Sequence, residues 1–239
     1  MEKTKTLGIL GGIGPLASVY FADTIVNMTL AEKDQDHLPF FMYNNVFIPD
    51  RTDYILKKTD VNPLPFIIQG MNKLEDAGCD FAVMTCNTAH YFYDEIQSAV
   101  NIPIINMIES TVKYTAEKIP SVKKIGVLAT DGTIQSGVYK KVIESNGFEC
   151  VTPCEDSQSK IMDIIYNQVK AGKTVDFEGF MKVIQELRNK GCNGIILGCT
   201  ELSVINRDND LTQKNNDIID AMQALARECI TLCGKKIKE

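Results

Sequence analysis

Short, nearly unbroken apolar runs alternate along the chain with longer stretches in which apolar residues return every three or four positions. The first pattern marks strands buried on both faces of a parallel sheet, the second amphipathic helices. In the first half the runs predict strands over 6–10, 40–46, 81–85 and 102–107, with helices over 16–30, 66–77 and 89–100. Within 89–100, Phe92, Tyr93, Ile96, Ala99 and Val100 share one helical face. The second half repeats the scheme, with strands over 124–129, 148–152 and 194–198 and helices over 134–146, 160–171 and 177–190. A polar stretch, 206–216, leads to a last helix, 218–233, with Ile219, Met222, Leu225, Ala226, Cys229 and Leu232 on its apolar face. That helix has no evident counterpart at the end of the first half and is expected to cross back to cover it. Alternating strands and helices predict the α/β class with parallel sheets.

The halves also correspond residue by residue. Gly78-Cys79-Asp80-Phe81-Ala82-Val83-Met84-Thr85-Cys86-Asn87-Thr88 aligns without gaps on Gly191-Cys192-Asn193-Gly194-Ile195-Ile196-Leu197-Gly198-Cys199-Thr200-Glu201, a constant offset of 113 residues. Leu7-Gly8-Ile9-Leu10 matches Ile125-Gly126-Val127-Leu128 at an offset of 118, continuing to Ser18 and Ser136. The chain therefore reads as diverged copies of one unit. The expected architecture is two pseudo-symmetric α/β domains, each a parallel sheet flanked by helices, with the active site in the cleft between them. Residues 1–107 and 211–239 are expected to form the first domain and 108–210 the second. No Pro/Gly/Ser-rich linker separates them, so close packing is expected.

Composition narrows the functional classes. With 239 residues, 44% of them hydrophobic, the chain is long enough for one large or two small cores. Its net charge of −6 and lack of basic blocks argue against a nucleic-acid or anionic-membrane partner. No run reaches the roughly 18 to 20 apolar residues of a membrane span. The N-terminal stretch passes into a strand without a signal-peptide pattern, so the eight cysteines are expected to be reduced thiols in the cytoplasm.

Two of those thiols carry the chemistry. Cys86 and Cys199 end matching strands, and ligands of parallel α/β sheets collect at the carboxyl ends of strands. A helix starting beyond each cysteine is expected to lower the thiol pKa and to offer backbone N–H groups to a carboxylate. Asn87, Thr88, Thr130 and Thr200 would add side-chain donors, with Glu201 beside them. Facing each other across a cleft, two thiols approach one substrate atom from opposite sides. Other signals are weaker. Gly12-Ile13-Gly14-Pro15-Leu16-Ala17 fits a relaxed dinucleotide fingerprint, but the strand over 40–46 ends in Asn44 and Asn45 and not in an acidic ribose ligand. It reads better as a tight turn lining the cleft. Cys150 with Cys154 and Cys229 with Cys233 have a metal-like spacing, yet the chain has only two histidines, and no metal site is expected. Cys79 and Cys192 read as packing residues, and His90 as a helix-surface or subunit-contact residue more readily than a tuner of Cys86.

Taken together, Gly8-Ile9-Leu10-Gly11-Gly12-Ile13-Gly14-Pro15-Leu16, Pro49-Asp50-Arg51-Thr52, Thr85-Cys86-Asn87-Thr88-Ala89-His90 and Gly198-Cys199-Thr200-Glu201 resemble the aspartate/glutamate racemases that work without pyridoxal phosphate. The resemblance is closest to the aspartate racemase branch. Glutamate racemases typically have Asp-Ser in place of Gly11-Gly12 and His in place of Glu201. A broad-specificity group has Thr in place of Cys86, and arylmalonate decarboxylases keep only one of the two cysteines. The resemblance implies interconversion of L- and D-aspartate by proton transfer at Cα, with no cofactor, Cys86 and Cys199 exchanging acid and base roles. It also implies that Arg51 and Lys170 hold the distal carboxylate of an acidic amino acid, and that the protein is a homodimer. The alternatives are a broader aspartate/glutamate or hydantoin-type racemase, or a catalytically silent protein that binds an acidic metabolite.

Overall fold

The computed structural model describes residues 4–238; residues 1–3 and 239 of the expected first domain lie outside the described residues. Seven parallel-paired strands form two sheets. The first contains β1 (Leu7–Gly11), β2 (Phe40–Asn44) and β3 (Phe81–Met84) in the order β2-β1-β3. The second contains β4 (Lys124–Leu128), β5 (Glu149–Val151), β6 (Gly194–Leu197) and β7 (Ile218–Asp220) in the order β5-β4-β6-β7. Among the described residues every pairing between these strands is parallel, with Leu7 opposite Phe81 and Ile125 opposite Gly194, the same register in both copies. Every residue of β1, β3 and β6 is buried, as strands covered on both faces must be. Burying each of their Leu, Ile, Val or Phe side chains stabilises the fold by about 1.5–3 kcal/mol.

The duplication extends to the packing. A Cβ on Gly8 would lie 3.1 Å from both the Cys79 sulfur and Leu74, and one on Gly126 would lie 2.8 Å from Leu187 and 3.4 Å from the Cys192 sulfur. In each copy a strand glycine thus makes room for the leucine and cysteine that seal the helix onto the sheet. Cys79 and Cys192 are packing residues.

The ends of the copies differ from expectation. The segment 102–107 is not a full strand: Ile104 alone makes a parallel bridge to Ala82, and the chain then enters an unexpected helix, Met107–Lys118. Asn106 caps it by accepting bonds from the backbone of Ile108 and Glu109. The last segment follows the same plan. Ile218–Asp220 forms β7 instead of the first turn of a helix, and Asp220 caps Ala221–Leu232 by accepting from Met222 and Gln223. The final helix therefore has a counterpart after all, and the two are exchanged. Ile108 and Val112 of the first copy pack against Val127, Ile196 and Ile219 of the second sheet. Met222, Leu225 and Cys229 of the second copy pack against Leu7, Ile9, Phe81 and Val83 of the first. Met107 still packs in the first core and Ile108 in the second, in keeping with the expected crossing at 107/108, whereas the second crossing is placed by packing at 220/221 and not at 210/211. Leu211 buries in the second core, as this division requires.

Three helices are irregular. The expected helix 134–146 divides into Asp131–Ser136 and Val138–Ser145 at Gly137, which has φ 71°. That over 160–171 begins earlier, as Glu155–Asp163, and widens into a π-helical turn, Ile164–Val169. That over 89–100 opens as a 3-10 turn, Thr88–Phe92, before Tyr93–Ala99. The supposed polar stretch 206–216 is partly helical, carrying the end of Thr200–Asn209 and then Leu211–Lys214. Among the described residues no helix is long and apolar enough to cross a membrane.

Candidate active site

Cys86 follows β3 and Cys199 follows β6, so the two sheets bring both thiols to their carboxyl ends. Cys86, Cys199, Arg51, Asn87, Thr88, Thr130, Lys170, Thr200 and Glu201 line one narrow cavity, joined by Ile13, Thr52 and Tyr166. Arg51, Lys170 and Glu201 also border a wider, open vestibule of ≈ 400 Å³ with Gly12, Gly14, Leu16, Ile48, Asp50, Val169 and Val204. The glycine-rich turn after β1 is thus a wall of the cleft.

Each half supplies part of the cavity. Arg51 and Thr52 open the short helix Arg51–Ile55, which Asp50 caps through the Asp53 N–H at 3.0 Å. Tyr166 on the π-helical turn and Lys170 just after its end reach across from the other half. The Tyr166 hydroxyl donates to Asp50 at 3.2 Å, and the Lys170 ammonium lies 3.9 Å from Asp50 and 4.0 Å from the centre of the Tyr166 ring. Four hydroxyls close the seam: Thr52 donates to Thr130 at 3.2 Å, while Thr88, Thr130 and Thr133 lie within 2.8–3.1 Å of one another. Burial pushes the Asp50 carboxyl up, but the Arg51 guanidinium, the Asp53 N–H and Lys170 outweigh it and hold the group below the usual carboxylate range.

The two thiols have opposite surroundings. Arg51, 7% exposed, stands beside Cys86; burial opposes the charge of the guanidinium, and the neighbouring Cys86 and Asp50 favour it. Its Nη1 donates to the Pro49 carbonyl at 3.0 Å, while the buried Nε has no protein partner. Cys199 donates to the Glu201 carboxylate at 3.0 Å, and the Thr200 hydroxyl donates to the same oxygen at 3.3 Å. Burial first, and the Glu201 charge second, push the Cys199 thiol well up, against the lowering by Lys170 and the Glu201 N–H. This corrects the expectation of a lowered thiol at Cys199. At Cys199 the dipole of Thr200–Asn209 is overridden by desolvation and a carboxylate in contact. At Cys86 the long helix that was to supply the dipole is replaced by a 3-10 turn.

His90 is neither on the surface nor free to bridge subunits: it is 4% exposed. The Met107 N–H donates to its Nε2 at 3.0 Å, so Nδ1 carries the proton and donates to the Cys86 carbonyl at 2.9 Å. The ring fixes the backbone of Cys86 to the first domain crossing. Burial pushes the imidazole down to about 4, against hydrogen bonds that favour the charged form. An unfolded histidine titrates near 6.5. Between these values the unfolded chain takes up a proton that the native state refuses, so this contribution is complete above pH 6.5 and is lost as pH falls towards 4. The total is about 3 kcal/mol. Urea unfolding at pH 7 and pH 4.5 should show a smaller loss in His90→Gln than in wild type; equal losses would remove His90 as the cause.

Sequence reasoning did not find Thr52, Thr133, Tyr139 or Tyr166. Thr52 stands inside the quoted Pro-Asp-Arg-Thr motif and Tyr166 four residues before Lys170, which are usable signals. Tyr139 has no such marker.

Among solved structures, the aspartate racemase of Picrophilus torridus matches at a TM-score of 0.83 and 32% identity, covering 98% of this chain and 96% of that one. A glutamate racemase of Bacillus anthracis shares the fold at a TM-score of 0.68 and 19% identity, with 98% and 83% covered. The class is thus that of the two-domain α/β racemases. The broad specificity amino-acid racemase RacX of Bacillus subtilis (strain 168) is 30% identical over 230 residues, 94% of this chain and 96% of its own length. The model of the Asp/Glu/hydantoin racemase family matches residues 10–229, and the chain belongs to that family.

Proposed function

We propose that the protein interconverts L- and D-aspartate by proton transfer at Cα between Cys86 and Cys199, without a cofactor. The observation that carries this reading is the opening of two strand-end thiols, one from each copy, into a single cavity with two cations from opposite halves. Inversion at Cα needs a base on one face and an acid on the other, and facing copies of one loop supply them. Glu201, in contact with the Cys199 thiol, holds its proton, so Cys199 begins as the acid and Cys86, beside Arg51, as the base. After one turnover the roles are exchanged. The carbanion next to a carboxylate and an ammonium must be stabilised by preorganised donors around the carboxylate, and Asn87, Thr88, Thr130 and Thr200 are the groups that line that position. Arg51 and Lys170 recognise the side-chain carboxylate, the role consistent with the aspartate racemase among the similar structures. A cytoplasmic homodimer belongs to the same reading.

A second reading, a broader range of amino acids, is favoured by one observation. Lys170 already faces Asp50, and the vestibule that shares Arg51, Lys170 and Glu201 with the cavity is lined by the apolar Leu16, Ile48, Val169 and Val204, a wall suited to a longer or less polar side chain. Incubation of dialysed protein with L-aspartate, L-glutamate and neutral L-amino acids, each followed by chiral chromatography, separates the two. D-aspartate formed without additive supports the first reading, and equal rates across the panel the second. Activity that returns only with pyridoxal phosphate sinks both.

A further inference from the structure

The geometry points to Tyr139 as a positioning residue of the racemase site, one that sets the two cysteine loops against each other and turns the Asn87 amide so that its N–H₂ faces the substrate carboxylate. It rests on the racemase reading above.

Tyr139 lies on Val138–Ser145 of the second domain, is 2% exposed and does not line the cavity. Its hydroxyl donates to Asn87 Oδ1 at 2.6 Å, a bond between residues 52 apart in sequence that crosses the domain seam. Asn87 is the residue after Cys86 and is itself 2% exposed. With Oδ1 taken, its Nδ2 is left buried without a protein partner, in a side chain that lines the cavity. Buried amide donors are seldom left unpaired, because the desolvation is not recovered. An unpaired donor on a cavity wall has its partner in the ligand, and the carboxylate of an amino acid is an acceptor of the required kind. Had the amide turned over, its oxygen would face that carboxylate and repel it. Burial also pushes the phenol far up, so it remains a donor throughout the working pH range.

The ring does a second thing. A Cβ on Gly198 would lie 2.9 Å from Tyr139 Cε2, so the residue before Cys199 has to be glycine for the ring to rest there. One side chain thus touches the residue after Cys86 through its hydroxyl and the residue before Cys199 through its edge. A shift of either loop is felt by the other, and the spacing of the two thiols about Cα depends on that spacing being fixed.

Tyr139→Phe deletes one oxygen and keeps the ring. It should lower kcat/KM about tenfold or more, the cost of releasing a donor to a charged group. If Tyr139 acts through Asn87, the double variant Tyr139→Phe/Asn87→Ala loses no more than Asn87→Ala alone. Losses that multiply, or an unchanged Tyr139→Phe, would overturn the proposal. Asn87→Asp gives a test that does not depend on the folding of the tyrosine variant: it retains an acceptor for the phenol but offers no N–H₂. Activity as low as that of Asn87→Ala supports the amide as carboxylate donor, and near-wild-type activity overturns it. A wild-type protein that racemises no amino acid would instead overturn the racemase reading and this role with it.

Discussion

Cys86→Ser and Cys199→Ser should each abolish aspartate racemisation, lowering the rate by at least about 10³-fold, because a hydroxyl is a far weaker acid than a thiol and the transfer follows Brønsted behaviour. In D₂O the wild-type protein should turn L-aspartate into D-aspartate carrying deuterium at Cα, while the unreacted L-form stays protiated early on. That pattern requires separate groups on the two faces. Each serine variant retains one thiol and should at most exchange the α-proton of one enantiomer, and which one it exchanges assigns the cysteine to its face. The surroundings of the thiols add a check that needs no turnover. Cys86 and Cys199 are equally exposed, at 6%, so access does not separate them. Iodoacetamide, which reacts with thiolate, should label Cys86 before Cys199. Glu201→Gln keeps the shape but removes the charge, and should speed labelling at Cys199 by about tenfold. Early deuterium in the L-pool, near-normal racemisation by either serine variant, or a Cys199 indifferent to Glu201→Gln would each contradict the acid/base pair as drawn.

Arg51→Ala should lower kcat/KM for aspartate by about 10²-fold, since a buried charge-assisted interaction contributes about 1.5–3 kcal/mol. Two roles compete for this residue. Its family position implies a grip on the side-chain carboxylate, while in the folded protein its charge also stands beside Cys86 in the same cavity. They differ in selectivity. If Arg51 recognises the distal carboxylate, Arg51→Ala loses its preference for aspartate over alanine or serine. If it serves the thiol, all substrates fall together. Arg51→Lys sharpens the comparison, because lysine keeps the charge beside Cys86 but not the planar fork that matches a carboxylate. Unchanged turnover of aspartate by Arg51→Ala would remove the residue from the site altogether.

The regular part of this protein was legible along the chain. Six of the seven strands and the pairing of Cys86 with Cys199 follow from apolar patterns that repeat within a few residues and from copies that still align, although the apolar run 102–107 yields only a bridge at Ile104. The nine residues singled out from motifs do meet in one cavity, because strand ends and the loops after them are fixed by the same local pattern. What failed locally failed at breaks in periodicity: Gly137 divides a helix, a π-helical turn shifts the face on which Tyr166 and Lys170 stand, and three residues, Ile218–Asp220, read equally as strand or helix.

The sequence by itself determined the duplicated α/β plan and the two thiols at matching strand ends, since hydrophobic periodicity and internal repetition are written in neighbouring residues. Only the tertiary structure decided the exchange of Met107–Lys118 and Ala221–Leu232 between the sheets, because a helix's apolar face says that it is covered and not by which sheet. The tertiary structure also decided the sign at Cys199. A helix N-terminus favours thiolate in the linear reading, but burial and the Glu201 carboxylate at 3.0 Å act more strongly, and neither the depth nor the rotamer that brings them together can be read from Cys-Thr-Glu alone. The contact of Tyr139 with Asn87 is of the same kind: a 2.6 Å bond across the domain seam, set by how two folded halves dock and by nothing local to either residue.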